Sequence, residues 1–332
     1  MKDEGCVALI SEMLETADII RSFDFSRTAR IAREVLSSGA VFISGEGSSR
    51  IFPAKNLISE VLGRGIDLSI GTDGAYQACE YDLSRHVVLV ASNSGQTKET
   101  IALIRKLNAE GHANIYGLTA TPGSQLEKEC SECIVLSCGE EKAVAATKSV
   151  VEQALIYQSI LSNVIETSWD ADKASAAALA ETVMALEYDP ELIDRLSKAR
   201  AIFFAGRNNG VAEELSLKTT EITRKPGVYL EGTIALHGFE EIMRPEDVVV
   251  FLNPYESEFD KITQIFEKNV GVKVVALSST PTPFSTIYTP RLDGFSNYLS
   301  LMAGWNLLVQ IGQHLGVNLD KPNRARKIGN AI

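Results

Sequence analysis

The chain has 332 residues, of which 45% are hydrophobic and 23% charged, a composition typical of globular proteins at a length sufficient for two domains. The net charge of −11 comes without a basic block, which argues against nucleic-acid binding; an anionic ligand would need local donors. No apolar run approaches the roughly 18–20 residues of a membrane helix, and the first residues lack the pattern of a signal peptide. We therefore expect a cytoplasmic protein with no membrane partner.

In the first half of the chain, short apolar runs alternate with longer helical patterns. The predicted strands are residues 40–44, 67–71, 87–92, 114–119 and 133–136. The predicted helices are residues 50–62, 74–81, 97–110, 125–129 and 144–166. Because strands that alternate with helices pair in parallel and are covered on both faces, this order predicts an α/β fold.

The second half of the chain repeats this order. The predicted strands are residues 201–206, 227–231, 247–252, 272–277 and 286–288, and the predicted helices are residues 212–224, 236–243, 256–269 and 297–315. Residues 41–50 (VFISGEGSSR) and 202–210 (IFFAGRNNG) each read as a strand, a glycine turn and a helix start. This self-similarity predicts two copies of one unit. We expect an N-terminal domain of residues 1–166, a connecting helical segment of residues 167–188 and a C-terminal domain of residues 189–332.

Two of the five cysteines, Cys130 and Cys133, form a C-x-x-C motif. Such a pair can belong to a redox centre or to half of a zinc site. No second C-x-x-C motif and no nearby histidine pair completes a zinc site, and the motif precedes a strand rather than a helix start, where a thiol pKa would fall. We expect reduced thiols, and neither a metal nor a cofactor.

The turn of residues 92–97 (SNSGQT), called the hydroxyl turn below, is the most informative segment. It joins a predicted strand to a predicted helix, so free N–H groups and the positive end of the helix dipole favour an anion there. Three hydroxyl groups add further donors. The turn lacks the lysine of a nucleotide-binding P-loop, which favours a small phosphorylated or sulfonated ligand. The alternative is that these residues only cap the helix and form the turn.

A second turn, residues 45–50, also follows a predicted strand. Because open α/β sheets bind ligands at the carboxyl ends of their strands, we expect both turns to contribute to one pocket.

Six motifs in this order and spacing resemble the tandem form of the sugar isomerase (SIS) domain family, which includes the isomerase half of glucosamine-6-phosphate synthase. They are residues 47–49 (GSS), residues 92–97 with Glu99, residues 141–148 (EKAVAATK), residues 218–221 (KTTE), residues 237–238 (HG) and residues 321–327 (KPNRARK). The resemblance covers nearly the whole chain. It implies two tandem flavodoxin-like units, each a three-layer α/β/α sandwich with a parallel sheet.

The resemblance also implies which residues bind the substrate. Those assigned to its phosphate are Ser48, Ser49, Ser92, Asn93, Ser94 and Thr97. The backbone at Val144 and Ala145 is expected to line the sugar. Arg50 follows the first turn and either assists the anion or faces solvent.

Four further residues carry the implied chemistry. Glu221 matches the carboxylate that moves a proton between C1 and C2, and Lys218 lies three residues before it on the same helix face. His237 matches the histidine that opens the sugar ring, which in relatives comes from the partner subunit of a homodimer. Lys327 matches a C-terminal lysine that closes over the open-chain sugar and forms an imine in the synthase. From the residues alone, Lys218 and Glu221 could equally be a surface ion pair, and Lys327 part of a disordered end.

Departures from the family pattern leave the sugar open. Asn93 replaces a frequent glutamine, and Phe239 follows His237 and Gly238 where relatives have proline. No glutaminase domain is present in the sequence, so glutamine-driven amination is not expected. The leading interpretation is a metal-free sugar-phosphate aldose–ketose isomerase. The alternatives are an amino-sugar-phosphate deaminase or fructosamine-phosphate deglycase, an isomerase of a sulfonated sugar, and a non-catalytic sugar-phosphate sensor.

Overall fold

The computed structural model describes residues 7–324, which separate into two compact units. The N-terminal unit contains residues 15–175, and the C-terminal unit contains helix α1 (Ala8–Leu14) and residues 176–322. The division lies between residues 175 and 176, and α1 belongs to the C-terminal unit although it precedes the N-terminal one in the chain.

The N-terminal unit is built on a parallel five-stranded sheet in the order β2-β1-β3-β4-β5. Its strands are β1 (Ala40–Gly45), β2 (Ser69–Asp73), β3 (Val87–Ala91), β4 (Ile115–Thr119) and β5 (Glu132–Val135). Its helices are α2 (Thr16–Ser22), α3 (Ala29–Ser38), α4 (Ile51–Gly63), α5 (Ala75–Ala78), α6 (Lys98–Ala109), α7 (Gln125–Glu129) and α8 (Lys148–Val164). Helix α9 (Lys173–Met184) contains the division between the units.

The C-terminal unit repeats this topology with a parallel sheet in the order β10-β9-β8-β6-β7. Its strands are β6 (Ile202–Gly206), β7 (Gly227–Glu231), β8 (Val248–Leu252), β9 (Lys273–Ser278) and β10 (Ser285–Tyr288). Besides α1, its helices are α10 (Pro190–Lys198), α11 (Val211–Thr223), α12 (Phe259–Ile262), which continues as a π-helix over Thr263–Val270, and α13 (Ser296–His314).

The strand order explains where a ligand can bind in each unit. When the strands of each unit are numbered along the chain, both sheets have the flavodoxin-like order 2-1-3-4-5. The predicted fold of two tandem flavodoxin-like units is therefore confirmed. The chain reverses its direction across the sheet between β1 and β3 and again between β6 and β8. Ligands bind outside the carboxyl ends of the strands at such switch points.

The central strands are buried on both faces, because the crossover connections of a parallel sheet place helices on each side. Every residue of β3 and of β8 is buried, and these near-continuous apolar runs are typical of strands covered by helices on both sides. Helix α13 is also apolar around most of its circumference and packs against α10 and α11. A Cβ atom at Gly304 would lie 2.5 Å from Leu215, so glycine permits the close approach of α13 to α11.

Two local predictions are wrong. Residues 236–243 form no continuous helix but 3₁₀ turns at Ile234–Leu236 and Phe239–Ile242, separated by Gly238 at φ +91°. Residues 256–269 are helical as predicted, beginning with a 3₁₀ turn at Glu256–Glu258 before α12. Strand β2 lies two residues later than predicted, because Gly71 continues the strand instead of ending it. A side chain there would meet the Phe42 ring at 2.9 Å.

Within the described residues, no helix combines the length and the apolar character needed to cross a lipid bilayer.

Candidate active site

The hydroxyl turn connects the carboxyl end of β3 to the start of α6. The Gly95 N–H donates to the Ser92 carbonyl at 2.9 Å, which closes a tight turn, and Gly95 adopts φ +61°. The hydroxyl groups of Ser92 and Thr97 share a hydrogen bond of 2.8 Å. No side chain caps the start of α6, so the positive end of the helix dipole adds to the attraction for an anion. The turn therefore provides donors for a small anion.

Glycine at position 95 is required both by the backbone and by its neighbours. A Cβ atom there would lie 2.2 Å from Ser124 Oγ and 2.9 Å from Thr119 Oγ1. We expect Gly95→Ala to lower the free energy of unfolding by about 2–3 kcal/mol, since strain at positive φ adds to a steric clash. Urea unfolding measures the effect.

Gly123→Ala is the matched control, since Gly123 has φ +73° and no atom within 4 Å of the added Cβ. Gly123→Ala should lower the free energy of unfolding by about 1 kcal/mol, the cost of the backbone strain alone. Equal losses in the two variants would contradict the assigned clash at Gly95.

The second turn lies beside the hydroxyl turn. Strand β1 ends at Gly45, which pairs with Ala91, the last residue of β3, and a Cβ atom at Gly45 would lie 2.9 Å from the Ala91 carbonyl oxygen. The 3₁₀ turn Gly47–Ser49 follows, with Ser48 buried and Ser49 half-buried. The structure thus brings the predicted serines of both turns to the same switch point. Arg50 is half-buried, and its Nε atom has no hydrogen-bond partner among the described residues.

The loop between β5 and α8 reaches the hydroxyl turn through a residue that the sequence reasoning did not single out. Glu141 is buried, and its carboxylate accepts a hydrogen bond of 3.1 Å from Asn93 Nδ2. Val144 and Ala145, predicted to line the sugar, lie in this loop. Glu141 belongs to the motif of residues 141–148, but a contact between positions 48 apart leaves no periodic signal in the sequence.

Helix α11 carries a buried charged cluster in the C-terminal unit. Lys218 is 1% exposed, and its Nζ atom lies 2.6 Å from Glu221 Oε2 and 3.3 Å from Glu214 Oε1. The Glu221 side chain is 26% exposed, whereas that of Glu214 is fully buried. Lys218 and Glu221 therefore do not form a surface ion pair. The sequence reasoning missed Glu214, although its spacing of four residues from Lys218 places both on one helix face.

His237 is exposed and lies beyond the carboxyl end of β7. It lines an open groove with Thr233, Tyr255 and Glu258. Helix α11 starts at the carboxyl ends of the strands and runs back toward their amino ends. Glu221 lies ten residues after the helix start, about 15 Å along the axis. Within this unit Glu221 therefore lies toward the amino ends of the strands, and His237 lies at their carboxyl ends.

Lys327 lies outside the described residues. The candidate residues that are described divide between the units: the anion and sugar candidates belong to the N-terminal unit, and Lys218, Glu221 and His237 to the C-terminal unit.

The cysteine pair has the chemistry of partly buried thiols. Burial raises the pKa of Cys133 to about 12 and also raises the pKa of Cys130, so both thiols are protonated at neutral pH. Both sulfur atoms pack against Gly117. Across residues 7–324, no group of three or more histidine, cysteine, aspartate or glutamate side chains is arranged to hold a metal ion.

Comparison with known proteins gives a match of residues 79–162 to the SIS domain. The chain is 24% identical over 354 residues to glutamine–fructose-6-phosphate aminotransferase (isomerizing) of Caulobacter vibrioides, covering 98% of this chain and 56% of that protein. The enzyme of the same name from Sulfolobus acidocaldarius is 25% identical over 328 residues, covering 94% and 53%. The chain thus spans about half the length of these relatives.

Solved structures share the fold. The C-terminal domain of glucosamine-fructose-6-phosphate aminotransferase from Francisella tularensis superposes with a TM-score of 0.76 at 17% identity, covering 97% of this chain and all of that one. Glucosamine-6-phosphate deaminase from Thermotoga maritima gives 0.76 at 18% identity, with coverages of 96% and 98%. Tagatose-6-phosphate ketose/aldose isomerase from Escherichia coli gives 0.75 at 17% identity, with coverages of 95% and 96%. The match over nearly whole chains extends the likeness to both units.

Proposed function

We propose that the chain, whose residues 79–162 match the SIS domain, is an aldose–ketose isomerase of a sugar phosphate, which opens the sugar ring and moves a proton between C1 and C2. The observation that carries this proposal is the half-buried carboxylate of Glu221, held 2.6 Å from the buried ammonium of Lys218. A carboxylate with restricted solvent access is suited to proton transfer at carbon. The curated relatives, whose names include an isomerizing activity, support this reaction class.

In this proposal the hydroxyl turn holds the phosphate. Ser92, Ser94 and Thr97 supply hydroxyl donors, and the uncapped start of α6 supplies N–H groups and the positive end of its dipole. Ser48 and Ser49 approach from the neighbouring turn. A chain with net charge −11 needs such local donors, because its overall field repels an anionic substrate.

In this proposal Glu221 and Lys218 carry out the proton transfer. Glu221 removes the proton from one carbon and returns it to the adjacent one. The intermediate is an enediolate, and a positive charge fixed beside the base stabilises the negative charge that develops on its oxygen. Because Lys218 also contacts Glu214, its ammonium is fixed in place before the substrate binds.

We assign ring opening to His237 supplied by a second subunit of a homodimer, since Glu221 and His237 of one subunit lie toward opposite ends of the strands of one sheet. Lys327 is the candidate for covering the open-chain sugar. If the assignment is correct, inactive Glu221→Gln and His237→Asn proteins that are mixed and reassociated should regain about a quarter of the wild-type activity, because half of the dimers then carry one complete site. Activity that stays absent in verified mixed dimers would contradict a shared site.

The function is tested by incubating the protein in D₂O with glucose 6-phosphate, fructose 6-phosphate, tagatose 6-phosphate, glucosamine 6-phosphate and a sulfonated hexose. Proton NMR should show aldose–ketose interconversion of one phosphate with deuterium incorporated at C2. Ammonia release from glucosamine 6-phosphate would replace the isomerase with a deaminase. Turnover of the sulfonated sugar alone would change the substrate class, and a rise in melting temperature without turnover would indicate a sensor.

A further inference from the structure

The buried carboxylate of Glu141 connects two segments of the N-terminal unit. Glu141 is 6% exposed. Its Oε1 atom accepts from the Thr147 N–H at 2.7 Å, and its Oε2 atom accepts from Ser149 Oγ at 2.6 Å and from Asn93 Nδ2 at 3.1 Å. A carboxylate removed from water needs donors of this kind, and charge-assisted hydrogen bonds are stronger than neutral ones.

These bonds fix the geometry of the candidate pocket. Those from Thr147 and Ser149 close the loop that contains Val144 and Ala145 and hold it at the start of α8. The bond from Asn93 holds the hydroxyl turn against the same carboxylate. The separation between the segment expected to line the sugar and the turn expected to hold the anion therefore depends on Glu141.

Asn93 is held from both its backbone and its side chain. Its carbonyl oxygen accepts from the Ala120 N–H at 3.0 Å and from the hydroxyls of Thr119 and Thr121 at 3.1 and 3.3 Å. Its Nδ2 group donates one of its two hydrogens to Glu141, which orients the side-chain amide toward this carboxylate.

We propose that Asn93 does not bind the anion but tethers the hydroxyl turn, and that Glu141 is the positioning residue to which it is tied. This rests on the proposed function only for the identity of the hydroxyl turn as the anion site. It reassigns Asn93, which the sequence places among the anion ligands.

An exchange of donor and acceptor tests the tether. In Asn93→Asp two carboxylates face each other, and the affinity for inorganic phosphate and sulfate should fall at least about tenfold, because a charge-assisted bond is replaced by repulsion. In the double variant Asn93→Asp/Glu141→Gln, the new amide donates to the new carboxylate while its oxygen still accepts from Thr147. Both affinities should return to within about fivefold of wild type.

Calorimetric titration with each anion measures the affinities, and kcat and KM with the best sugar phosphate separate binding from chemistry. We expect Asn93→Asp to change KM and to leave kcat unchanged, because in this proposal neither Asn93 nor Glu141 contacts the reacting carbons. Asn108→Asp, at the exposed far end of α6, is the control for an added negative charge and should change the affinity less than about twofold.

The double variant decides the outcome even if Asn93→Asp fails to fold. Recovered anion affinity in the double variant supports the tether. Loss of more than tenfold in a folded double variant overturns it, since a carboxylate at position 93 then repels an anion it contacts directly. A wild-type protein that binds neither anion also overturns it. Anion binding without isomerisation refutes the proposed function and leaves the tether intact.

Discussion

Glu221→Gln is expected to lower kcat for isomerisation by about 10²–10⁴-fold, the usual contribution of a positioned general base. Glutamine keeps the size of the side chain. Its oxygen can still accept a hydrogen bond from Lys218 Nζ, which in the wild-type protein lies 2.6 Å from the Glu221 carboxylate. The variant should therefore fold and bind the sugar phosphate with little change in affinity. Rates come from the NMR assay and affinity from the ligand-dependent shift in melting temperature.

Glu246→Gln is the matched control, because Glu246 is an exposed glutamate of the same unit. Its kcat should stay within about twofold of wild type. Unchanged turnover in Glu221→Gln would remove this residue from the chemistry, and an intact ligand response with no turnover even in the wild-type protein would favour a sensor.

The positions of the central strands were predictable, because buried parallel strands appear in the sequence as apolar runs. Residues 87–91 are five apolar residues with no polar interruption, and the structure buries all of them in β3. Residues 227–231 were predicted with the correct bounds as β7. The turn after β3 was visible for the same reason, since the apolar run ends abruptly in polar residues.

The failures have a common physical cause, which is contact between residues distant in sequence. Gly71 resembles a strand end until Phe42 packs over it. The hydrogen bond from the Asn93 amide to Glu141, 48 residues later, is likewise absent from the local pattern, and the anion-binding role of Asn93 stays a prediction. Local pattern specifies the element on which a side chain lies, whereas its partner is decided by the packing of elements. The roles of Glu221 and His237 stay predictions.

The two copies of the fold have diverged at their switch points. The turn after β3 reads SNSGQT, whereas residues 253–258 after β8 read NPYESE and carry two carboxylates. In the C-terminal unit, Arg207 stacks 4.3 Å from the centre of the Tyr255 ring and donates to the Asn253 carbonyl. This guanidinium is engaged with the protein, and acidic residues surround the turn. An anion is therefore favoured at the switch point of the N-terminal unit and disfavoured at that of the C-terminal unit.

Lys218→Met should cost about 3–5 kcal/mol of stability, because removal of one partner of a buried ion pair leaves the other charge uncompensated. The Lys218 ammonium lies 3.3 Å from the fully buried carboxylate of Glu214. Methionine fills nearly the same volume, so the loss reports the charge rather than a cavity. The double variant Glu214→Gln/Lys218→Met removes both charges and should recover most of the stability. Its isomerase activity should stay low, because the charge beside Glu221 is still missing.

Lys198→Met is the matched control, since Lys198 forms an i,i+4 ion pair of 2.6 Å with Asp194 but is 73% exposed. It should cost less than about 1 kcal/mol, as surface pairs do. Unfolding in urea compares the three variants through their midpoints and slopes. Equal losses in Lys218→Met and Lys198→Met would mean that water reaches the cluster on α11. A fixed ammonium beside Glu221 could then not stabilise an enediolate as proposed, because solvent would screen it.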